Sequence, residues 1–337
     1  MPQALIILGI ESSCDDTAAA VLVNGEIRSN VVAGQEVHRQ WGGVVPELAS
    51  RAHQEHIVPV VKEALRVAGV SKNDLTAVAV THGPGLIGAL LVGAGFARSL
   101  AHALGIPLLA VDHMQAHVLA HFIPTGPSDG PPEFPFLNLT VSGGHTLIVL
   151  VRGPLDMEVV GATLDDAAGE AFDKGAKILG LPYPGGPLID RHANDGDTKR
   201  FKLPMPGISG LDMSFSGVKT AFNNLVTKGL STDDGFVERE LPHLCASLQQ
   251  CIIDIVLRKL QKAGRTLGVP RIAISGGVSA NSALRRQVSA LAEREGWSIH
   301  IPPLAYCTDN GAMVAMAGSF LFKAGRFAEL SSVPHPR

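Results

Sequence analysis

Two histidines stand four residues apart in the segment Asp112-His113-Met114-Gln115-Ala116-His117. On a helix that spacing puts both rings on one face, with Cβ atoms about 6 Å apart, close enough to hold one metal ion. A zinc-protease motif places a glutamate directly after the first histidine to act as base. Met114 stands there instead, so the pair offers ligands without a protease base. His121 continues the same face. The spacing fits equally well a pair of half-buried helix histidines bonded to their neighbours. A metal site needs a third ligand, and Asp309 in Cys307-Thr308-Asp309-Asn310-Gly311 qualifies by residue type. An aspartate at a helix start is usually an N-cap, and Asp309 could do both.

Glycine-rich turns form a second set. Ser142-Gly143-Gly144-His145-Thr146 can aim backbone N–H groups at an anion or a developing oxyanion, although a plain tight hairpin has the same composition. Ser275-Gly276-Gly277 and Gly83-Pro84-Gly85 precede helices, whose N-termini attract phosphate. Three such loops in one chain favour a nucleotide ligand. The P-loop pattern and the dinucleotide pattern after the first strand are both absent from the sequence. Asp165-Asp166-Ala167-Ala168-Gly169-Glu170-Ala171-Phe172-Asp173-Lys174 carries four carboxylates, and Asp166, Glu170 and Asp173 could share a helix face. Tyr183-Pro184-Gly185-Gly186-Pro187 is a stiff loop where backbone can approach a ligand. Arg191, Lys199, Arg200 and Lys202, with Lys174, Lys177, Lys219, Arg285 and Arg286, could meet phosphates or be ordinary surface charge.

The elements that must position these residues alternate between strand and helix. Leu5 to Ile10 and Ala18 to Val23 flank a polar turn, Glu11 to Thr17, and Asn24-Gly25 starts another. Phe136 to Val141 and Thr146 to Val151 repeat the design around Ser142 to His145. Strands over Leu75 to Val80, Ile106 to Val111, Arg271 to Ile274 and Ile299 to Ile301 each lead into a loop, where ligands bind in open α/β sheets. The expectation is an α/β chain of two hairpin-led lobes, with a boundary in the Pro- and Gly-rich stretch 124–135.

The 337 residues and 46% apolar content suffice for two cored lobes, and a net charge of −3 excludes a chain-wide basic surface. Any nucleic acid must meet a local patch. Four cysteines without a C-x-x-C pair, and no secretory signal, read as reduced thiols of a cytosolic protein. The greasy stretch Leu86 to Phe96 reads as a buried helix too short to span a bilayer.

Taken together, the motifs resemble those of the universal tRNA threonylcarbamoyladenosine-forming transferase family, known in bacteria as TsaD and formerly labelled glycoprotease-like. The resemblance runs from Gly9-Ile10-Glu11-Ser12-Ser13-Cys14-Asp15 to Thr308-Asp309-Asn310-Gly311-Ala312-Met313. It passes through Gly42 to Arg51, Gly83 to Leu86, Val141 to Thr146, Asp165 to Lys174 and Ser214 to Gly217. It implies the two-lobed actin, sugar-kinase and heat-shock-chaperone (ASKHA) fold with duplicated RNase H-like lobes. Residues 1–130 plus 311–337 would form the lobe with the histidine pair, and 131–310 the lobe with the substrate loops. His113, His117 and Asp309 would hold iron(II), or zinc. Threonylcarbamoyl-AMP would touch Thr140, Val141, Ser142, Gly143, Gly144, Asp173, Gly186 and Asn281, with Asp190 at a ribose position. The acceptor would be the N6 amine of adenosine 37 in tRNAs reading codons that begin with A. AMP would leave, and Asp16, where the family often has glutamate, would receive the proton. TsaB and TsaE would be partners, with no role for DNA or membrane, in a bacterial cytoplasm. The rival readings are a metalloprotease, against which Met114 argues, and an ATP-dependent kinase or ATPase sharing the fold.

Overall fold

The computed structural model describes residues 4–35, 38, 42–126 and 130–336. The chain divides into unit 1, Met1–Pro132 with Pro302–Arg337, and unit 2, Glu133–Ile301. The return to unit 1 thus comes before residue 311, and Asp309 belongs with the histidines. Of the boundary expected over 124–135, residues 127–129 lie outside the described set.

In unit 1, three strands form an antiparallel meander: β1 (Ile6–Glu11), β2 (Asp16–Val23) and β3 (Glu26–Gly34). Asn24 and Gly25, both at positive φ, make the two-residue turn between β2 and β3. After helix α1 (Pro46–Ala68) come β4 (Ala77–Gly83), α2 (Ile87–Leu104), β5 (Leu108–Asp112) and α3 (His113–Leu119). β4 and β5 join in parallel, giving the order β3-β2-β1-β4-β5. β1 and β2 read as apolar runs because central strands are covered on both faces. α2 is longer than its greasiest stretch suggested: eighteen residues, long and apolar enough by length and composition to cross a membrane. Only a third of it is buried, and Leu90, Gly93, Ala94, Ala97 and Ala101 recur at helical spacing on the face packed against β4 and α1.

Unit 2 repeats the plan. Strands β6 (Phe136–Val141), β7 (Thr146–Gly153) and β8 (Asp156–Ala162) form its meander. Four helices follow: α4 (Ala168–Ile178), α5 (Gly186–Ala193), α6 (Ser216–Leu230) and α7 (Phe236–Leu267). β9 (Arg271–Ser275), α8 (Ser282–Glu295) and β10 (Ser298–His300) complete an order β10-β9-β6-β7-β8. Read from the meander's outer strand, both sheets have the same sequence of three antiparallel and two parallel strands.

The last helix, α9 (Gly311–Lys323), returns to unit 1 and lies directly on β1 and β2. Its approach depends on two glycines. A Cβ on Gly9 would meet the Ala315 backbone nitrogen at 2.5 Å, and one on Gly311 would meet the Ala19 carbonyl carbon at 2.5 Å. Any side chain there would push the helix away, and Asp309 precedes it by two residues.

Candidate functional site

α3 starts directly where β5 ends, so His113 is its first residue and His117 lies one turn on. Asp112 caps the helix by accepting from the Gln115 backbone N–H at 2.8 Å. Both histidines are buried, with ring centroids 4.7 Å apart and planes at 82°. The expected third residue meets them: Asp309 Oδ1 lies 3.1 Å from His117 Nε2 and 3.5 Å from His113 Nε2. The ligand atoms of the three residues all lie within 4.8 Å of one another. Asp309 is not the cap of α9, since Asn310 Oδ1 takes that role with the Met313 N–H at 3.0 Å. The Asp309 carboxylate faces the two histidines instead. His121 falls in a 3₁₀ turn, Ala120–Phe122, that follows α3, and does not join the cluster.

Two imidazole nitrogens and one carboxylate oxygen, at least partly sheltered, suit iron or zinc and leave coordination positions for a substrate oxygen. His113 Nδ1, the nitrogen turned away from the cluster, faces Glu11 Oε2 at 3.0 Å, and Glu11 also contacts Ser13 and Thr81. Burial disfavours charge on His113, but Asp309 and Glu11 outweigh it and push the imidazole up to about 9. Burial alone would raise the Glu11 carboxyl; the facing His113 reverses this and holds it below the usual range.

Asp16 opens β2, and burial, followed by the charges of Asp15, Asp309 and Glu11, pushes its carboxyl up to about 7. Burial likewise drives the Cys14 thiol far up, so it carries no thiolate chemistry near neutrality. The turn holding Cys14 to Thr17 is lashed to α1 by His53, whose Nε2–H donates to the Cys14 carbonyl while Nδ1 accepts from Thr17. Gly83-Pro84-Gly85 does not offer an open cradle. A Cβ on Gly85 would meet the Ser13 carbonyl at 2.6 Å, and one on Gly83 would strike His335.

In unit 2, the Ser142 to His145 turn closes on itself through Ser142 N–H to His145 O at 2.8 Å. Its Ser142 carbonyl and the Thr146 hydroxyl accept from Gly169 and Ala168, the first N–H groups of α4. The outer side of Gly143 and Gly144 is open, with no atom within 4 Å of a Cβ at either. Thr140 and Val141 lie buried beneath, and the Thr140 hydroxyl is shared with Asn138 and Ser275. Gly276, at φ +85°, passes so close that a Cβ would meet the Val141 carbonyl at 2.5 Å. Asp173 Oδ1 accepts from the Gly185 and Gly186 N–H groups at 2.8 and 3.2 Å and holds that loop. Asp190 accepts from the Ser282 N–H and hydroxyl at the start of α8, and Asn281 caps the same helix while donating to Gln249.

The acidic run is mostly architecture. Asp165 accepts from Ser214, Phe215 and Ser216 at the start of α6, and Asp166 pairs with Lys174 and Lys219. α4 begins only at Ala168, so Asp166, Glu170 and Asp173 do not form one helix face. The basic group is partly spent in the same way, with Lys174 and Lys219 tied to Asp166 and Arg200 paired to Glu240. Sequence reasoning missed Glu11, Thr81 and His53. For Glu11 a signal existed: a carboxylate ending a wholly apolar strand has to find donors.

Repeated sheets of this order define an α/β protein of the actin, sugar-kinase and heat-shock-chaperone type. Two solved structures show the same fold. T. kodakarensis HypF superposes with a TM-score of 0.62 at 13% identity over 97% of this chain and 49% of that longer one. The activator of the 2-hydroxyisocaproyl-CoA dehydratase from Clostridium difficile does so with 0.50 at 14%, over 97% and 100%. Within this class the chain belongs to the family TsaD, tRNA N6-adenosine threonylcarbamoyltransferase, whose model matches residues 26–316. Proteins of that name from Cytophaga hutchinsonii and Christiangramia forsetii are 53% and 54% identical, each over 99% of this chain and 96% and 98% of their own lengths.

Proposed function

We propose that this protein transfers the threonylcarbamoyl group of threonylcarbamoyl-AMP to N6 of adenosine 37 in tRNAs reading codons that begin with A. The observation that carries this reading is the convergence of His113, His117 and Asp309 in a chain of this family. The resemblance favours iron(II), and zinc fits the same donors. Bound there, the ion supplies a Lewis acid and a template for substrate oxygens.

The remaining work falls to side chains and backbone. The N–H groups of Gly143 and Gly144, on a turn with free space where a Cβ would sit, meet oxygens of the adenylate, with Ser142, Thr140 and Val141 fixing their turn. Asp173 orders Gly185 and Gly186 for close approach of the nucleotide, and Asp190 and Asn281 hold the start of α8 for its ribose and phosphate. The adenosine amine attacks the carbamoyl carbon, the bond from that carbon to the phosphate oxygen breaks, and AMP leaves with the electron pair. Asp16 takes the amine proton, directly or through water, and a carboxyl near 7 suits that role at neutral pH. Proteins of the TsaB and TsaE kind are the expected partners, and the cytoplasm the expected compartment.

The test is transfer from threonylcarbamoyl-AMP to unmodified tRNA by the purified protein, with and without such partners. His113→Ala should lose bound metal and transfer together. A metal-free variant with full transfer would sink the metal role. ATP hydrolysis by the protein alone, with no transfer, would favour the kinase or ATPase reading.

A further inference from the structure

The Glu11 side chain is completely buried at the end of β1 and lies behind the histidine pair. Three donors converge on it. The Ser13 backbone N–H reaches Oε1 at 2.5 Å, the Thr81 hydroxyl reaches Oε2 at 2.5 Å, and His113 Nδ1 lies 3.0 Å from the same Oε2. Ser13 Oγ stands 3.3 Å from that nitrogen as a second neighbour. A peptide N–H can only donate, so Oε1 must accept. An acceptor-only carboxylate satisfies all three partners at once, and it places the ring proton of His113 on Nδ1. In the neutral imidazole that a metal ligand requires, the Nε2 lone pair then faces the position shared with His117 and Asp309. His117 has no matching device, since its Nδ1 is buried without a hydrogen-bond partner among the described residues.

We infer that Glu11 is the positioning residue of the metal centre: it fixes the tautomer of His113 and so makes Nε2 a ligand. The inference rests on the metal reading given above. It commits to a specific result for the isosteric change Glu11→Gln. The Ser13 N–H forces the new amide to keep its carbonyl oxygen at Oε1. Its NH2 then faces Thr81 and His113. The Thr81 hydroxyl can turn and accept; His113 can accept only by moving its proton to Nε2, the nitrogen the metal needs. Thr81→Val removes a donor from the same carboxylate and disturbs the same pocket, yet leaves the imidazole proton where it is.

The experiment is a cobalt(II) titration of the whole protein against a competing chelator, with thermal unfolding of the metal-free forms alongside. Glu11→Gln should weaken cobalt binding by about 10–100-fold, the range typical of partners that orient metal-ligating histidines, and by far more than Thr81→Val. Equal losses in the two variants would reduce Glu11 to a packing role and overturn the inference. So would cobalt binding unchanged in Glu11→Gln. If Glu11→Gln does not fold, nitrogen-15 NMR of the zinc-loaded wild type decides: Nδ1 protonated and Nε2 metal-bound supports the inference, and the reverse overturns it. Wild-type protein that takes up no cobalt through His113 and His117 overturns the metal reading and this inference together, which separates that failure from a failure of Glu11 alone.

Discussion

His117 Nε2 lies 3.1 Å from Oδ1 of Asp309, a residue 192 positions further along the chain. Because Asn310 caps α9, the aspartate carries no cap duty, and the two neighbours should separate cleanly in mutation. Asp309→Ala should cost metal affinity beyond the roughly 10–100-fold of an outer-shell partner, and abolish transfer. Asn310→Ala should instead lower stability by about 1 kcal/mol, the usual worth of an N-cap. Chelator competition and thermal melts measure the two effects. Comparable metal loss in both variants would contradict the division of labour.

Gly9 lets α9 rest on β1. Gly9→Ala sets a methyl 2.5 Å from the Ala315 nitrogen and the Gly311 carbonyl, both backbone atoms that cannot swing aside. Overpacking of this kind typically costs about 1–3 kcal/mol. Since Asp309 stands two residues before this helix, metal affinity should fall with the melting temperature. A destabilised variant that binds metal like wild type would show that the carboxylate is placed by other means.

Asp16 gives a pH dependence with a definite sign. Its carboxyl is raised from 3.8 to about 7 on folding, so the folded state prefers it protonated. The associated stability is fully present below pH 3.8 and is lost as pH rises through about 7. Asp16→Asn stays neutral throughout. Urea unfolding of metal-free protein between pH 4 and pH 8 should therefore show a decline in the wild type that is smaller in the variant, leaving Asp16→Asn the more stable above neutrality. Transfer by Asp16→Asn should fall on the order of 10²-fold, as for loss of a general base; parallel stability curves with intact transfer would remove both roles.

Two glycines of unit 2 should respond oppositely. Gly276→Ala imposes a strained φ and a clash with the Val141 carbonyl, and should destabilise by about 1–3 kcal/mol. Gly144→Ala enters open space and should change stability by no more than about 0.5 kcal/mol. If the turn meets the adenylate, Gly144→Ala should still slow transfer about tenfold by standing where substrate oxygens must approach. Wild-type transfer by Gly144→Ala would remove the turn from the substrate surface.

The strands that proved easiest to read were those buried on both faces, such as Phe136 to Val141, whose limits agree with expectation. β3 and β8 went unread because their residues are half exposed and mix charge with apolar groups, so neither a clean alternation nor an apolar run marks them. The histidine pair was legible because one helix turn joins its members. The Glu11 network was not, since its partners come from residues 2, 70 and 102 positions away. Spacing also misled where carboxylates clustered: Asp165 and Asp166 look like a site in sequence and serve as a helix cap and an ion-pair anchor in the fold. Telling Asp309 from Asn310 as the cap required the backbone of α9 itself.

The three residues that could hold a metal straddle unit 2 in sequence, with both histidines before it and the aspartate after it. During synthesis the histidine pair emerges first, and the carboxylate follows only after the whole of unit 2 has been made. A chain broken off anywhere before Asp309 keeps the pair and lacks a complete binding set. Under the proposed metal role, metal retention would therefore tell chains that extend past Asp309 from chains that stop short of it.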